Sequence, residues 1–173
     1  TTGIPQGTNN VNIFPFAGKM IATADSLGSP IAINPMTLET EGIVTWSPQL
    51  SAGIHDKAAF GDSGFTAHPK WDHETGTLYG LAYRDTTPYV TMHYVHVDGT
   101  VESRDIWDAP YNTVAHDVWL TPEHVVVPFQ PFLIDKQRIA AGTGAYAWEP
   151  DRPIILGLVS RTDINADIRW VTM

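Results

Sequence analysis

The chain has 173 residues, and its 19 acidic and 10 basic side chains give a formal net charge of −9. This length suits one domain with a sizeable core, and an acidic chain without a Lys/Arg cluster argues against a nucleic-acid partner or an anionic membrane surface. Because there is no cysteine, any metal must be bound by histidine and carboxylate side chains, and we expect a reducing, cytoplasmic compartment.

The N-terminal third predicts short strands separated by turns. The strand candidates are residues 11–16, 19–24, 31–33 and 43–46. The first two flank Ala17-Gly18, which indicates a hairpin. Residues 48–63, which include His55, lack sustained periodicity, and we expect a long loop there.

The rest of the chain continues the same pattern. Its strand candidates are residues 78–83, 89–97, 100–107, 114–121, 124–129, 145–148, 154–159 and 168–171. The clearest hairpin signal is Asp98-Gly99, which predicts a two-residue turn whose glycine supplies a positive φ. Residues 131–144 are rich in alanine and glycine and are expected to form a loop.

The overall pattern predicts an all-β protein. Because 13 prolines and 14 glycines are spread through the chain, no window sustains a helix of three turns. Many short strands with frequent turns indicate a sandwich, a barrel or a propeller. The recurring strand–turn–strand units favour propeller blades.

Two histidines stand out as candidate metal ligands. His68 ends a short apolar run, and Pro69 favours an extended conformation for it at a strand end. His116 follows a polar turn in a similar setting. The two are 48 residues apart, and one propeller blade takes about 40–50 residues.

Several segments together resemble a known family. The stretch from Phe65 to Asp72, followed by Glu74-Thr75-Gly76, is similar to the first iron-ligand motif of the carotenoid cleavage oxygenases, including their lignostilbene- and isoeugenol-cleaving branch. Further matches occur in the same order at Asn34-Pro35-Met36-Thr37-Leu38-Glu39-Thr40, Ala115-His116-Asp117, Trp148-Glu149-Pro150-Asp151-Arg152-Pro153 and Ile168-Arg169-Trp170.

The resemblance implies a seven-bladed β-propeller, of which this chain would form about three blades. It also implies a non-haem Fe(II) held by four histidines, with His68 and His116 as the first and second ligands. Imidazole nitrogens suit iron, and four of them leave coordination positions open for dioxygen and substrate. The implied reaction is oxidative cleavage of a carbon–carbon double bond in a small apolar or aromatic alkene, which gives two carbonyl fragments.

The family also has a glutamate that hydrogen-bonds the second histidine from the loop after the second strand. Here Asp25 is the nearest carboxylate, and an ungapped alignment places Ser26 at this position instead; either side chain is shorter than glutamate. In stilbene-cleaving relatives a lysine before this glutamate binds the phenol oxygen. Ala24 stands there in this chain, which disfavours a 4-hydroxystilbene bound in that way.

We expect residues 1–173 to be a single partial propeller domain, because the chain starts with Thr1 and the family's third and fourth histidines lie beyond Met173. The alternative is a non-catalytic β-propeller binding or scaffold module with an incomplete metal site. A hydrolytic zinc protein is disfavoured because no helical His-Glu motif occurs. The remaining histidines have no motif behind them: His55, His73, His93, His96 and His124.

Overall fold

The structure, a computed structural model, describes residues 9–25, 30–44 and 64–173. Within these ranges the chain consists of antiparallel strands and one six-residue helix. The strands are β1 (Asn12–Phe16), β2 (Lys19–Thr23), β3 (Ile31–Ile33), β4 (Thr40–Ile43), β5 (Lys70–Trp71), β6 (Leu78–Tyr83), β7 (Val90–Val95), β8 (Val101–Ile106), β9 (Trp119–Leu120), β10 (His124–Phe129), β11 (Phe132–Ile134), β12 (Tyr146–Trp148), β13 (Ile155–Ser160) and β14 (Arg169–Thr172). The predicted all-β class is confirmed.

Twelve of the strands form three four-stranded sheets, each of which we call a blade, and β11 and β12 form a separate two-stranded sheet. Blade 1 has the order β1-β2-β3-β4, blade 2 the order β5-β6-β7-β8, and blade 3 the order β9-β10-β13-β14. In every blade the neighbouring strands pair antiparallel. The chain therefore forms three consecutive blades of a propeller, as the sequence predicts.

Blade 2 is covered on both faces, and this explains why β6 and β7 are buried along their whole length. One face packs against blade 1 in an apolar cluster that includes Phe16, Phe65 and Leu78. The other face packs against blade 3 in a larger cluster that includes Tyr83 and Phe129. A strand buried on both faces needs apolar residues at consecutive positions rather than alternation, which is the pattern of β6.

The hairpin predicted around Ala17-Gly18 joins β1 and β2, and its turn has two residues. Phe16 pairs with Lys19, and Ala17 and Gly18 lie between them with φ angles of 49° and 77°. Two consecutive positive φ values define the type I′ turn that matches the twist of paired strands. This prediction is confirmed.

The turn predicted at Asp98-Gly99 is wrong by one residue. Val95 pairs with Val101, Gly99 donates its N–H to the carbonyl of His96, and His96 donates its N–H to the carbonyl of Thr100. Gly99 is the one residue of this loop with a positive φ, at 88°. The loop thus has three residues, as in a type I turn followed by a glycine bulge, because a two-residue type I′ turn needs positive φ at both positions.

Two further element predictions are wrong. The strand predicted over 114–121 is reduced to β9, because His116 donates its N–H to the carbonyl of Val114 in a tight local turn. The loop predicted over 131–144 contains β11 and the helix α1 (Lys136–Ala141). Asp135 caps the helix start by accepting from two backbone N–H groups, and Gly142 ends it at φ 68°, a pair of capping signals that marks a short helix.

Some predictions concern residues outside the described ranges. These are the loop over 48–63 with His55, the end of the strand candidate at 43–46, and Ser26. Among the described residues, no helix is long and apolar enough to cross a membrane.

Candidate metal centre

The blade topology brings four side chains from three blades to one rim. In an antiparallel meander the start of the first strand and the end of the second lie at the same edge of the sheet. His68 precedes β5 and His116 precedes β9, so they occupy similar places in neighbouring blades. Asp25 follows β2 and Tyr83 ends β6, which places both at this same rim.

The two predicted histidines are in direct contact. Their Nε2 atoms are 2.9 Å apart, and their ring centroids are 4.7 Å apart. Their main chains also meet, because His68 and Asp117 form an isolated parallel bridge between the two blades. The side chain of His116 is half exposed among the described residues.

Asp25 contacts the far side of the His116 ring. Its Oδ2 is 2.9 Å from Nδ1 of His116. A carboxylate accepts hydrogen bonds, so this contact puts the proton of a neutral His116 on Nδ1 and leaves the lone pair of Nε2 directed at His68. Of the two alternatives that the sequence left open, Asp25 makes this contact in the structure, and Ser26 lies outside the described residues.

Tyr83 is a member of this cluster that the sequence analysis missed. Its hydroxyl donates to Oδ2 of Asp25 at 2.8 Å. Burial, followed by the negative charge of Asp25, raises the pKa of Tyr83 well above its usual range, so the phenol remains a donor. No sequence signal distinguished Tyr83, because it ends an apolar run and has the pattern of an ordinary core aromatic residue.

The backbones of both histidines are fixed by a second missed residue, Thr66. Its hydroxyl accepts from the N–H of His68 at 3.1 Å and donates to the carbonyl of His116 at 3.3 Å. An ion pair of 2.6 Å between Lys70 and Asp117 also joins the two segments. The separation of the two rings is therefore set by contacts between the blades.

The donor set fits two adjacent positions of a metal centre with imidazole ligands. Two imidazole nitrogens at right angles on an ion, with metal–nitrogen distances of about 2.1 Å, are about 3.0 Å apart, and the two Nε2 atoms are 2.9 Å apart. Metal-bound histidines almost always donate their other N–H to a carboxylate, a carbonyl or water, as the geometry of His116 and Asp25 allows. Among the described residues, no cluster of three or more His, Cys, Asp or Glu side chains could hold a metal by itself.

Other described histidines have partners away from this pair. His93 lies inside β7 with its Nδ1 2.8 Å from the hydroxyl of Ser103. His96 pairs with Glu102 at 2.9 Å, and the ring of His73 packs on a tryptophan. These contacts are structural, and they agree with the absence of a motif around these residues.

The fold is that of three consecutive propeller blades, and comparison with known proteins identifies the family. The family model of the retinal pigment epithelial membrane protein matches residues 2–173. The chain belongs to this family, that of the carotenoid cleavage oxygenases.

Three relatives illustrate the similarity. The isoeugenol monooxygenase of Pseudomonas nitroreducens is 30% identical over 98% of this chain and 34% of its own length. Resveratrol cleavage oxygenase 1 of Aspergillus fumigatus is 31% identical over 95% of this chain and 32% of its own length. The crystal structure of the lignostilbene dioxygenase of Pseudomonas brassicacearum superposes with a TM-score of 0.79 at 30% identity, covering 98% of this chain and 34% of that one. The chain therefore spans about a third of the length of these relatives.

Proposed function

We propose that the protein is a non-haem Fe(II)-dependent oxygenase that cleaves a carbon–carbon double bond of an apolar or aromatic alkene with dioxygen and gives carbonyl products. The observation that carries this proposal is the pair of Nε2 atoms 2.9 Å apart at one rim, in a chain whose relatives are named as oxygenases. The alternative of a non-catalytic binding module is not favoured, since those named relatives are enzymes.

In this proposal His68 and His116 supply two of the iron ligands, and residues 1–173 form part of one propeller domain. Iron, when bound, supplies the activation of dioxygen that no side chain can provide. Asp25 accepts from Nδ1 of His116, which keeps the Nε2 lone pair available and fixes the direction of the ring.

The substrate class follows from the relatives and from one residue. Some relatives are named for isoeugenol, resveratrol and lignostilbene, all of which contain an aromatic ring beside an alkene, and others are named for carotenoid cleavage. Ala24 stands directly before Asp25, and its short apolar side chain cannot bind a phenol oxygen as a lysine does. We therefore propose a phenylpropene, stilbene or apocarotenoid substrate whose orientation does not depend on a cation at this position.

The test is metal binding by the intact protein after substitution of each ligand. His68→Ala and His116→Ala are each expected to lose bound iron, measured by elemental analysis after anaerobic reconstitution, and to lose alkene cleavage. The matched control is His73→Ala, which removes an exposed imidazole that packs on a tryptophan and should retain both properties. Normal iron content in both variants would show that His68 and His116 are not iron ligands.

A further inference from the structure

The ring of Tyr83 lies in the core, whereas its hydroxyl reaches the rim. The residue is 3% exposed and belongs to the apolar cluster between blades 2 and 3. Packing on this scale holds an aromatic side chain in one rotamer. The position of the hydroxyl is therefore set by the core rather than by solvent.

Both donors to Asp25 converge on one oxygen. Oδ2 accepts from the Tyr83 hydroxyl at 2.8 Å and lies 2.9 Å from Nδ1 of His116. Oδ1 is buried and has no hydrogen-bond partner among the described residues. Without Tyr83, His116 would be the one described group that holds the carboxylate in place.

An aspartate needs such a second contact. The last torsion of its side chain is broad, so a single hydrogen bond leaves the plane of the carboxylate free to turn. A fixed donor on the same oxygen removes this freedom and holds Oδ2 in line with the His116 ring.

We propose that Tyr83 is a positioning residue for the metal centre, whose hydroxyl holds the Asp25 carboxylate in the orientation that fixes the ring and tautomer of His116. The metal readout of this inference rests on the proposed function, whereas its second readout does not. The hydrogen bond of the Tyr83 hydroxyl goes to Asp25 and not to either histidine ring, so its proposed action on His116 passes through Asp25.

The first readout is the metal affinity of the intact protein, measured by titration with Fe(II) under anaerobic conditions. Removing a partner of a metal-bound histidine weakens binding about 10–100-fold, which is the effect expected for Asp25→Ala. Tyr83→Phe removes one hydrogen bond from that partner and should weaken binding about 2–12-fold. The double variant should bind no more weakly than Asp25→Ala, because the Tyr83 hydroxyl then has no acceptor to orient.

The second readout is the tautomer of His116 in the metal-free protein, observed by the nitrogen chemical shifts of its imidazole. In the wild-type protein the proton should reside on Nδ1, and Tyr83→Phe should increase the fraction of protein with the proton on Nε2. The matched control is Tyr94→Phe, since Tyr94 is also a buried phenol of blade 2 and donates to the carbonyl of Ser160 in blade 3. Tyr94→Phe should leave both readouts at their wild-type values.

The outcomes separate this inference from the proposed function. If the wild-type protein binds no iron while Tyr83→Phe still shifts the His116 tautomer, the positioning role stands and the proposed function fails. If Tyr83→Phe matches Tyr94→Phe in both readouts, the positioning role is wrong. It is also overturned if the Tyr83→Phe and Asp25→Ala effects on affinity simply multiply in the double variant, because Tyr83 then acts independently of Asp25.

Discussion

The buried histidine of blade 2 makes the stability of the protein depend on pH. His93 is fully buried in β7, with Nδ1 2.8 Å from the hydroxyl of Ser103. Its Nε2 is buried without a hydrogen-bond partner among the described residues. Burial, assisted by the positive charge of Arg84 and opposed by Asp105, lowers the pKa of His93 to about 4.

The size of the effect follows from the difference between the folded and unfolded pKa values. The unfolded side chain has a pKa of about 6.5, so the unfolded protein binds a proton on His93 first as the pH falls. Keeping the buried ring neutral contributes about 3 kcal/mol to the free energy of unfolding. This contribution is present in full above pH about 6.5 and is lost as the pH falls to about 4. About 2 kcal/mol of this is already lost at pH 5.

The assay is urea denaturation of the intact protein at pH 7.5 and pH 5, followed by tryptophan fluorescence. His93→Gln retains a polar group that can bond Ser103 and removes the titrating imidazole. Between pH 7.5 and pH 5 the free energy of unfolding should therefore fall by about 2 kcal/mol less in this variant than in the wild-type protein. The control is His73→Gln, which replaces an exposed ring and should keep the wild-type pH dependence. An equal pH dependence in His93→Gln and the wild type would refute this reasoning.

Two other substitutions test how the rim is supported. Gly80→Ala would place a Cβ 2.5 Å from two ring carbons of Phe65, which is itself fully buried. We expect the free energy of unfolding to fall by about 1–3 kcal/mol, which would lower the thermal midpoint. An unchanged midpoint would show that the Phe65 ring can move aside. Lys70→Met removes the ion pair with Asp117, in which both side chains are about a third or more exposed. This substitution should lower the free energy of unfolding by less than about 1 kcal/mol, and the effect should disappear at about 1 M salt, where charges are screened within about 3 Å. A larger loss that does not depend on salt in denaturation experiments would contradict this.

The strand pattern could be predicted from sequence because it depends on local signals. Alternating and continuous apolar runs located β6, β7 and β10, and the turn residues located their ends. The errors arose where local signals compete. Asp98-Gly99 resembles a two-residue turn, but Asp98 accepts hydrogen bonds from the backbone and the hydroxyl of Thr100 and so stabilises a longer loop.

The site could be predicted only in part, because its contacts join distant segments. His68 and His116 were identified as candidate ligands through their motifs and spacing, and Asp25 through the family resemblance, which left Ser26 as an alternative. Tyr83 lies 58 residues from Asp25, and Thr66 lies 50 residues from His116. Neither sequence separation corresponds to a strand or helix period, so these two contacts are recognised only in the folded structure.

The rim joins three blades through a single chain of contacts. Asp25 comes from blade 1, Tyr83 from blade 2 and His116 from blade 3, and the Asp25–His116 contact spans 91 residues. Each contact requires that neighbouring blades are packed, because no blade carries two of these three groups. The apolar clusters on the two faces of blade 2 therefore do more than stabilise the fold, since they set the separations at which the side chains of the candidate metal centre meet.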